Sequence, residues 1–244
     1  VDFANPVLMY AYNEHVKALA AVPGFKERVR YFSLGNEVNF FLSKPQNKSN
    51  IVLRQSYVQF VATMAPLVRK QLPRARIGVN WTLAGIQNDA DDFALWSQMN
   101  QHCDVLMVNY YADPKAVGPH KLKYHADFQF LRQLSTAFGL PKPVVLQEVG
   151  MPTSAYLGGS EDQQDLFMKF LLDQWDEAGV LIPFLSWFQL YDYLYDDTLK
   201  VALANDADPV SSPIVVSQSK YPKTVQFQNA TIPFWGLGNA LAQA

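Results

Sequence analysis

The sequence predicts an α/β fold on a parallel sheet, in the form of an incomplete TIM-type (β/α)8 barrel. Three observations lead there. Apolar runs rich in Val, Ile, Leu and Phe alternate with amphipathic helical patterns, as in a parallel sheet covered on both faces. Strand starts near residues 31, 77, 105, 144 and 183 lie 46, 28, 39 and 39 residues apart, against about 31 per unit in an eight-unit barrel. The length of 244 residues suits one barrel domain, so residues 1–244 are read as a single, partial barrel domain.

The elements follow in order. Residues 8–29 carry helical apolar spacing, with a break expected at Pro23-Gly24. A strand at 30–36 ends in Gly35, Asn36 and Glu37, and an insertion is expected in the loop behind it. Residues 52–72 are helical despite Pro66, which predicts a kink. Strands recur at 76–81, 104–111, 143–150 and 183–190, with helices at 91–102, 124–138 and 160–178 between them. The last helix opens on Ser160-Glu161-Asp162-Gln163, the pattern of a capping box. Residues 205–233 form an irregular excursion with strand-like "PIVVSQ" and "KTVQF", before a closing helix in "FWGLGNALAQA".

Composition narrows the function. A net charge of −2 gives no reason to expect a nucleic-acid or anionic-membrane partner. Four scattered histidines and the lone Cys103 argue against a zinc site or a disulfide framework. No apolar run reaches the roughly 18 residues of a membrane span, and no signal peptide is visible. The chain begins at Val1 rather than Met, as expected of a processed form or an excised piece. Neither a glycine-rich phosphate loop nor a Gly-x-Ser-x-Gly elbow is found, which weakens the case for other α/β enzymes. Aromatic residues make up 14%, including five Trp and twelve Tyr, a supply of flat apolar surfaces on which pyranose rings pack.

Two carboxylates carry the chemistry. In a parallel barrel every strand's C-terminal end opens on one face, where catalytic groups collect. Glu37 ends the first recognisable strand and Glu148 the fourth, 111 residues later. Three units around an eight-strand barrel set them across the mouth from each other. Glycoside hydrolysis uses such a pair, one carboxyl protonating the leaving oxygen while the other attacks the anomeric carbon. Two nearby carboxylates resist ionising together, which helps keep one of them protonated.

"SLGNEVN" and "VLQEVGMPTS" resemble the signature of the large clan of retaining β-glycoside hydrolases with (β/α)8 barrels, which includes cellulase-like and galactanase-like families. The resemblance implies that the chain holds strands four to eight. It makes Glu37 the acid/base and Glu148 the nucleophile, with Asn36 the amide that bonds the sugar 2-hydroxyl. In "VNYYAD" it makes Tyr111 the strand-six tyrosine that bonds the nucleophile, and sets Asn109 where many members have His. In "FLSWFQLYDY" it makes Trp187 the floor of the subsite for the reacting sugar. A carbohydrate substrate and no metal or organic cofactor are further implications; localisation is left open, with secretion or periplasmic residence plausible from the substrate class only.

Blander roles are open for several of these residues. Tyr111 could be a core or rim aromatic, Trp187 a filler of the barrel, and Asn36 a loop cap. His120 and His125 read as solvent-facing or helix-terminal, and Asp192, Asp196 and Asp197 as loop charges. Asn47, Asn80 and Asn229 open short glycosylation-type triplets, a frequent pattern. The chain also departs from the clan. Only 36 residues precede Glu37, so three βα units, about 90 residues at barrel spacing, have no counterpart, nor has the clan's strand-two arginine. A five-stranded remnant exposes two sheet edges. It is therefore expected to form a homo-oligomer through them or to fill the gap with segments such as 205–233. The alternative function is a catalytically impaired fragment that binds carbohydrate or serves as a structural remnant.

Overall fold

Local capping and backbone restrictions set the helix ends, and long apolar runs set the strands. The computed structural model describes residues 2–114, 121–138, 141–153, 159–188, 215–216, 224–227 and 230–233. The chain divides into two compact units, one of Val1–Tyr110, Phe130–Gln147 and Gly179–Leu185, the other of Tyr111–Gln129, Glu148–Ala178 and Ser186–Ala244.

In the first unit, α1 (Pro6–Ala21) starts at Asn5, whose side chain accepts from the Val7 N–H, with Pro6 at the first helical position. Val22 is extended before Pro23, as steric clash with a following proline demands. Gly24 takes a left-handed φ of 78° and restarts the chain as α2 (Phe25–Arg28). The predicted break therefore stands where Pro23-Gly24 put it. After β1 (Tyr31–Ser33) the expected insertion folds as two short helices, α3 (Val38–Leu42) and α4 (Pro45–Lys48). Then α5 (Ile51–Gln71) is started by Asn50 and continues through Pro66.

The strand β2 (Arg76–Gly78) pairs in parallel with β1, matching Tyr31 to Arg76 and Ser33 to Gly78. One residue later β3 (Asn80–Thr82) pairs in parallel with β4 (Leu106–Tyr111), matching Asn80 to Met107 and Thr82 to Asn109. The ladder continues across the junction at Val79. Leu34 N–H donates to Gly78 O, Asn80 N–H to Gly35 O, and Asp104 N–H to Ile77 O. Residues 76–82 thus act as one strand between β1 and β4. Two helices, α6 (Leu83–Asn88) and α7 (Ala90–Asn100), lie between β3 and β4 in the chain, and α8 (Lys121–Thr136) follows β4. The sheet goes on to β5 (Val144–Gly150) and β6 (Phe184–Trp187), in the order β3-β4-β5-β6. This is an incomplete parallel sheet flanked by helices, as in a truncated TIM-type barrel.

Near-continuous burial of the strands explains why they read so clearly. Ile77, Val79 and Trp81 are fully buried, as are Val105, Leu106 and Val108. From α5, Val61, Met64, Ala65 and Val68 are equally closed off from solvent. The buried Arg54 guanidinium bonds Asp92 Oδ1 at 3.0 Å, so the deepest charge in this unit is paired. Cys103 is buried and free, and burial pushes its thiol up to about 12.

In the second unit, α9 (Glu161–Ala178) buries Phe167 and Leu171, and Phe167 meets the Tyr124 ring at 5.3 Å. Half of the predicted capping box forms. Ser160 Oγ accepts from the Gln163 N–H, but the Gln163 side chain donates to Pro114 O instead of reaching back. The strand-like segments of the excursion fall on β7 (Val215–Val216) and β8 (Thr224–Phe227), and with β9 (Ala230–Pro233) they form an antiparallel sheet. The expected closing helix at 234–244 lies outside the described residues. No helix among the described residues is long and apolar enough to cross a membrane.

Candidate active site

The chain leaving β1 through Leu34 and Gly35 delivers Glu37 to its position. A β-carbon at Gly35 would stand 2.2 Å from the Tyr57 hydroxyl, so only glycine passes here. Tyr57 donates to Leu34 O at 3.1 Å, and burial holds its phenol well above the ordinary tyrosine range, neutral and able to donate. Two residues on, Glu37 takes a left-handed backbone with φ 46° and ψ 46°. It is the one non-glycine residue at positive φ among those described. Such a conformation costs about 1–2 kcal/mol in an ordinary L-residue, so something must hold it.

Asn80 and Asn109 supply the hold. The Glu37 N–H donates to Asn80 Oδ1 at 3.0 Å, and Asn80 Nδ2 donates to Asn109 Oδ1 at 2.7 Å. Asn109 Nδ2 then donates to Glu37 Oε1 at 2.9 Å. The three bonds close a ring through one backbone amide and three side chains. With its Oδ1 occupied by Asn80, Asn109 must turn its NH₂ toward the carboxylate. Both asparagines are essentially inaccessible, at 0% and 1% exposure. A second clasp fixes the start of α3, where Asn39 Nδ2 donates to Thr82 Oγ1 and Asn39 Oδ1 accepts from the Thr82 N–H. Asn36 is exposed, and its Oδ1 accepts from Gln147 Nε2 at 3.0 Å.

Asn80 thus joins the candidate site, although the sequence offered it only as part of a glycosylation-type triplet. Its burial closes it to any glycosyl acceptor role in the folded chain. We expect Asn80→Ala to lower the unfolding free energy by about 1–3 kcal/mol, because Asn109 Oδ1 is left buried without its donor. Urea denaturation reads this directly, and an unchanged midpoint would show that the ring is not a stabilising unit.

The second unit holds the other carboxylate. Glu148, on β5, is half-buried and accepts a short hydrogen bond at Oε2 from the Tyr111 hydroxyl. The Tyr111 ring packs edge-on against Phe188 at 5.8 Å, and the Phe188 N–H donates to Val149 O. Tyr111 is therefore held from its ring as well as from its hydroxyl. Trp187 closes β6 and lies 6.2 Å from the Phe167 ring, at an interplanar angle of 45°. Its indole N–H has no hydrogen-bond partner among the described residues. The remaining polar candidates are peripheral or outside the described residues. His125 is exposed and edge-on to Phe170, and Asn47 is half-buried on α4. His120, Asp192, Asp196, Asp197 and Asn229 lie outside the described residues. No group of three His, Cys, Asp or Glu among the described residues is arranged to hold a metal.

No family model matches the sequence, and no curated protein matches it. Solved structures do. An endo-laminarinase from Formosa Hel1_33_131 is similar at 16% identity and a TM-score of 0.55, over 77% of this chain and 55% of that one. The exo-beta-1,4-mannosidase Op5Man5 from Opitutaceae bacterium strain TAV5 is similar at 19% identity and a TM-score of 0.55, over 76% and 33%. A glycoside hydrolase family 17 beta-1,3-glucanosyltransferase from Rhizomucor miehei is similar at 16% identity and a TM-score of 0.55, over 78% and 64%. The chain therefore spans about a third to two thirds of the length of these three structures. At such identities the likeness shows a shared fold.

Proposed function

We propose that this chain hydrolyses β-linked glycosides with retention, using Glu37 as acid/base and Glu148 as nucleophile. The observation that carries the proposal is that each of these two strand-end carboxylates is gripped by a neutral donor, Glu37 by Asn109 and Glu148 by Tyr111. Surface glutamates seldom justify a buried asparagine turned toward them. Asn109 and Tyr111 stand two residues apart on β4, and the period of a strand turns such residues to one face. The names of the similar structures, among them a beta-mannosidase and a beta-glucanosyltransferase, favour a β-linked glycan as the substrate.

In the reaction, Glu148 attacks the anomeric carbon as Glu37 passes its proton to the departing glycosidic oxygen. The C–O bond breaks and a glycosyl ester forms on Glu148. Glu37, now ionised, takes a proton from water, which attacks the same carbon and frees Glu148. Tyr111 orients the nucleophile through its hydroxyl. Asn36 offers its NH₂ to a sugar hydroxyl, and Trp187 supplies an apolar floor through its ring. The test is release of phenol from aryl β-glycosides but not from aryl α-glycosides; inactivity on every β-glycoside would remove the hydrolase reading.

A second reading is glycan binding without turnover. The unpaired strand edges favour it, since β1 and β6 each pair on one side only among the described residues. Tryptophan fluorescence quenched by glycans that are never cleaved would establish it. Self-association through those edges belongs to both readings, and a dilution-insensitive monomer in light scattering would eliminate it.

A further inference from the structure

Within the first unit, a cavity of about 800 Å³ opens at the end of the strands opposite to Glu37. Three guanidinium side chains line it, from Arg30, Arg74 and Arg76, and no carboxylate among the described residues does. Arg30 precedes β1 and Arg76 opens β2, so the charges collect where the strands begin. Tyr31 adds an aromatic wall, backed by Phe184 at 5.7 Å, and Pro143 and Pro183 supply rigid apolar sides. Arg54 and Arg69 each bond a carboxylate, Asp92 and Asp104. The cavity arginines do not. The Arg30 side chain donates to the backbone carbonyl of Glu27, and the guanidinium groups of Arg74 and Arg76 make no hydrogen bond or ion pair among the described residues.

Three like charges facing one concavity repel each other, in a chain whose net charge is −2. Nothing in the fold requires this. Val105, Met107 and Val145, against which Tyr31 packs, are apolar and would be served by neutral rim residues. Guanidinium groups match oxyanions geometrically, two parallel N–H donors to two oxygens. From this we propose that the cavity is a binding site for a multivalent oxyanion, a phosphate ester or polycarboxylate whose non-ionic part rests on Tyr31 and the prolines. It is separate from the proposed glycosidic site, because Arg30 and Glu37 stand at opposite ends of β1. A ligand there joins the starts of β1, β2, β5 and β6, so it holds the incomplete sheet together by mass action.

Calorimetry and thermal unfolding of the full chain test this, with pyrophosphate and citrate as probes in low-salt buffer. At least one probe should bind with 1:1 stoichiometry, and at about a hundredfold its Kd should raise Tm by about 5 °C or more. Preference for pyrophosphate assigns a phosphoryl ligand, and preference for citrate a polycarboxylate. Arg74→Gln and Arg76→Gln should each weaken binding about tenfold, whereas Arg28→Gln, outside the cavity wall, should leave it unchanged. Raising the salt concentration should weaken binding in the parent chain more than in a variant carrying both Arg74→Gln and Arg76→Gln. No saturable binding of either probe, or binding indifferent to Arg74 and Arg76, overturns the proposal. Since the readout is binding and melting, an inactive enzyme would leave this result standing.

Discussion

Replacing Glu148 with Gln is expected to lower turnover of every β-glycoside by at least about a thousandfold, with the fold intact. An amide of the same shape cannot form the glycosyl ester, so the route through a covalent intermediate closes. Glu148 is half-buried and accepts a hydrogen bond from Tyr111. The carbonyl oxygen of the substituted amide can still accept from that hydroxyl, which is why circular dichroism and the melting temperature should barely move. Retained turnover in a folded variant would take the nucleophile role from this residue. Loss of turnover together with loss of the fold would point to a structural role instead.

Glu37→Gln should behave differently, and the difference identifies the acid/base. General acid catalysis contributes about 10²–10⁴-fold, and it matters most when the leaving group is a poor one. Turnover of an alkyl or sugar leaving group should fall by that factor. A dinitrophenyl leaving group departs without a proton, so formation of the glycosyl ester should be nearly as fast as before. Breakdown of that ester still needs a base, and a burst of phenol followed by slow steady state is the expected trace. Equal losses on good and poor leaving groups would contradict an acid/base role. The substitution also probes the ring of hydrogen bonds. Asn109 donates to Oε1, and an amide that presents its NH₂ there instead would oppose donor to donor.

The middle of the sheet was legible because β3, β4 and most of β5 are buried. "LMVNYY" is buried at five positions and half-buried at the sixth, so hydrophobicity alone marked it. Its helices were legible for the matching reason, since α5 has one apolar face that the core requires. The two short helices after Glu37 were not. Four or five residues carry too little periodicity to read, and tertiary clasps such as Asn39 to Thr82 hold them. The halving of the capping box has a similar cause, because Pro114 O competes for a side chain that the local pattern had assigned to its own helix.

The candidate site was legible at its carboxylates and obscure in what supports them. Glu37 and Glu148 show as acids at the ends of apolar strands. The left-handed backbone at Glu37 does not show, because its partner Asn80 lies 43 residues away in sequence. The Asn80 to Asn109 bond arises from the register of β3 against β4, which no local pattern records. Tyr111 entered only through the family resemblance in "VNYYAD", which implied a bond to the nucleophile, and its hydroxyl donates to Glu148.

All of the proposed chemistry rests on Glu37 and Glu148 serving a single sugar. A crystal structure of the chain with a β-glycoside inhibitor measures that relation without any appeal to rate. Carboxyl groups about 5–5.5 Å apart on either side of the anomeric carbon are the result expected here. Carboxyl groups separated by more than one sugar ring can span, or an inhibitor seated away from both, would contradict it.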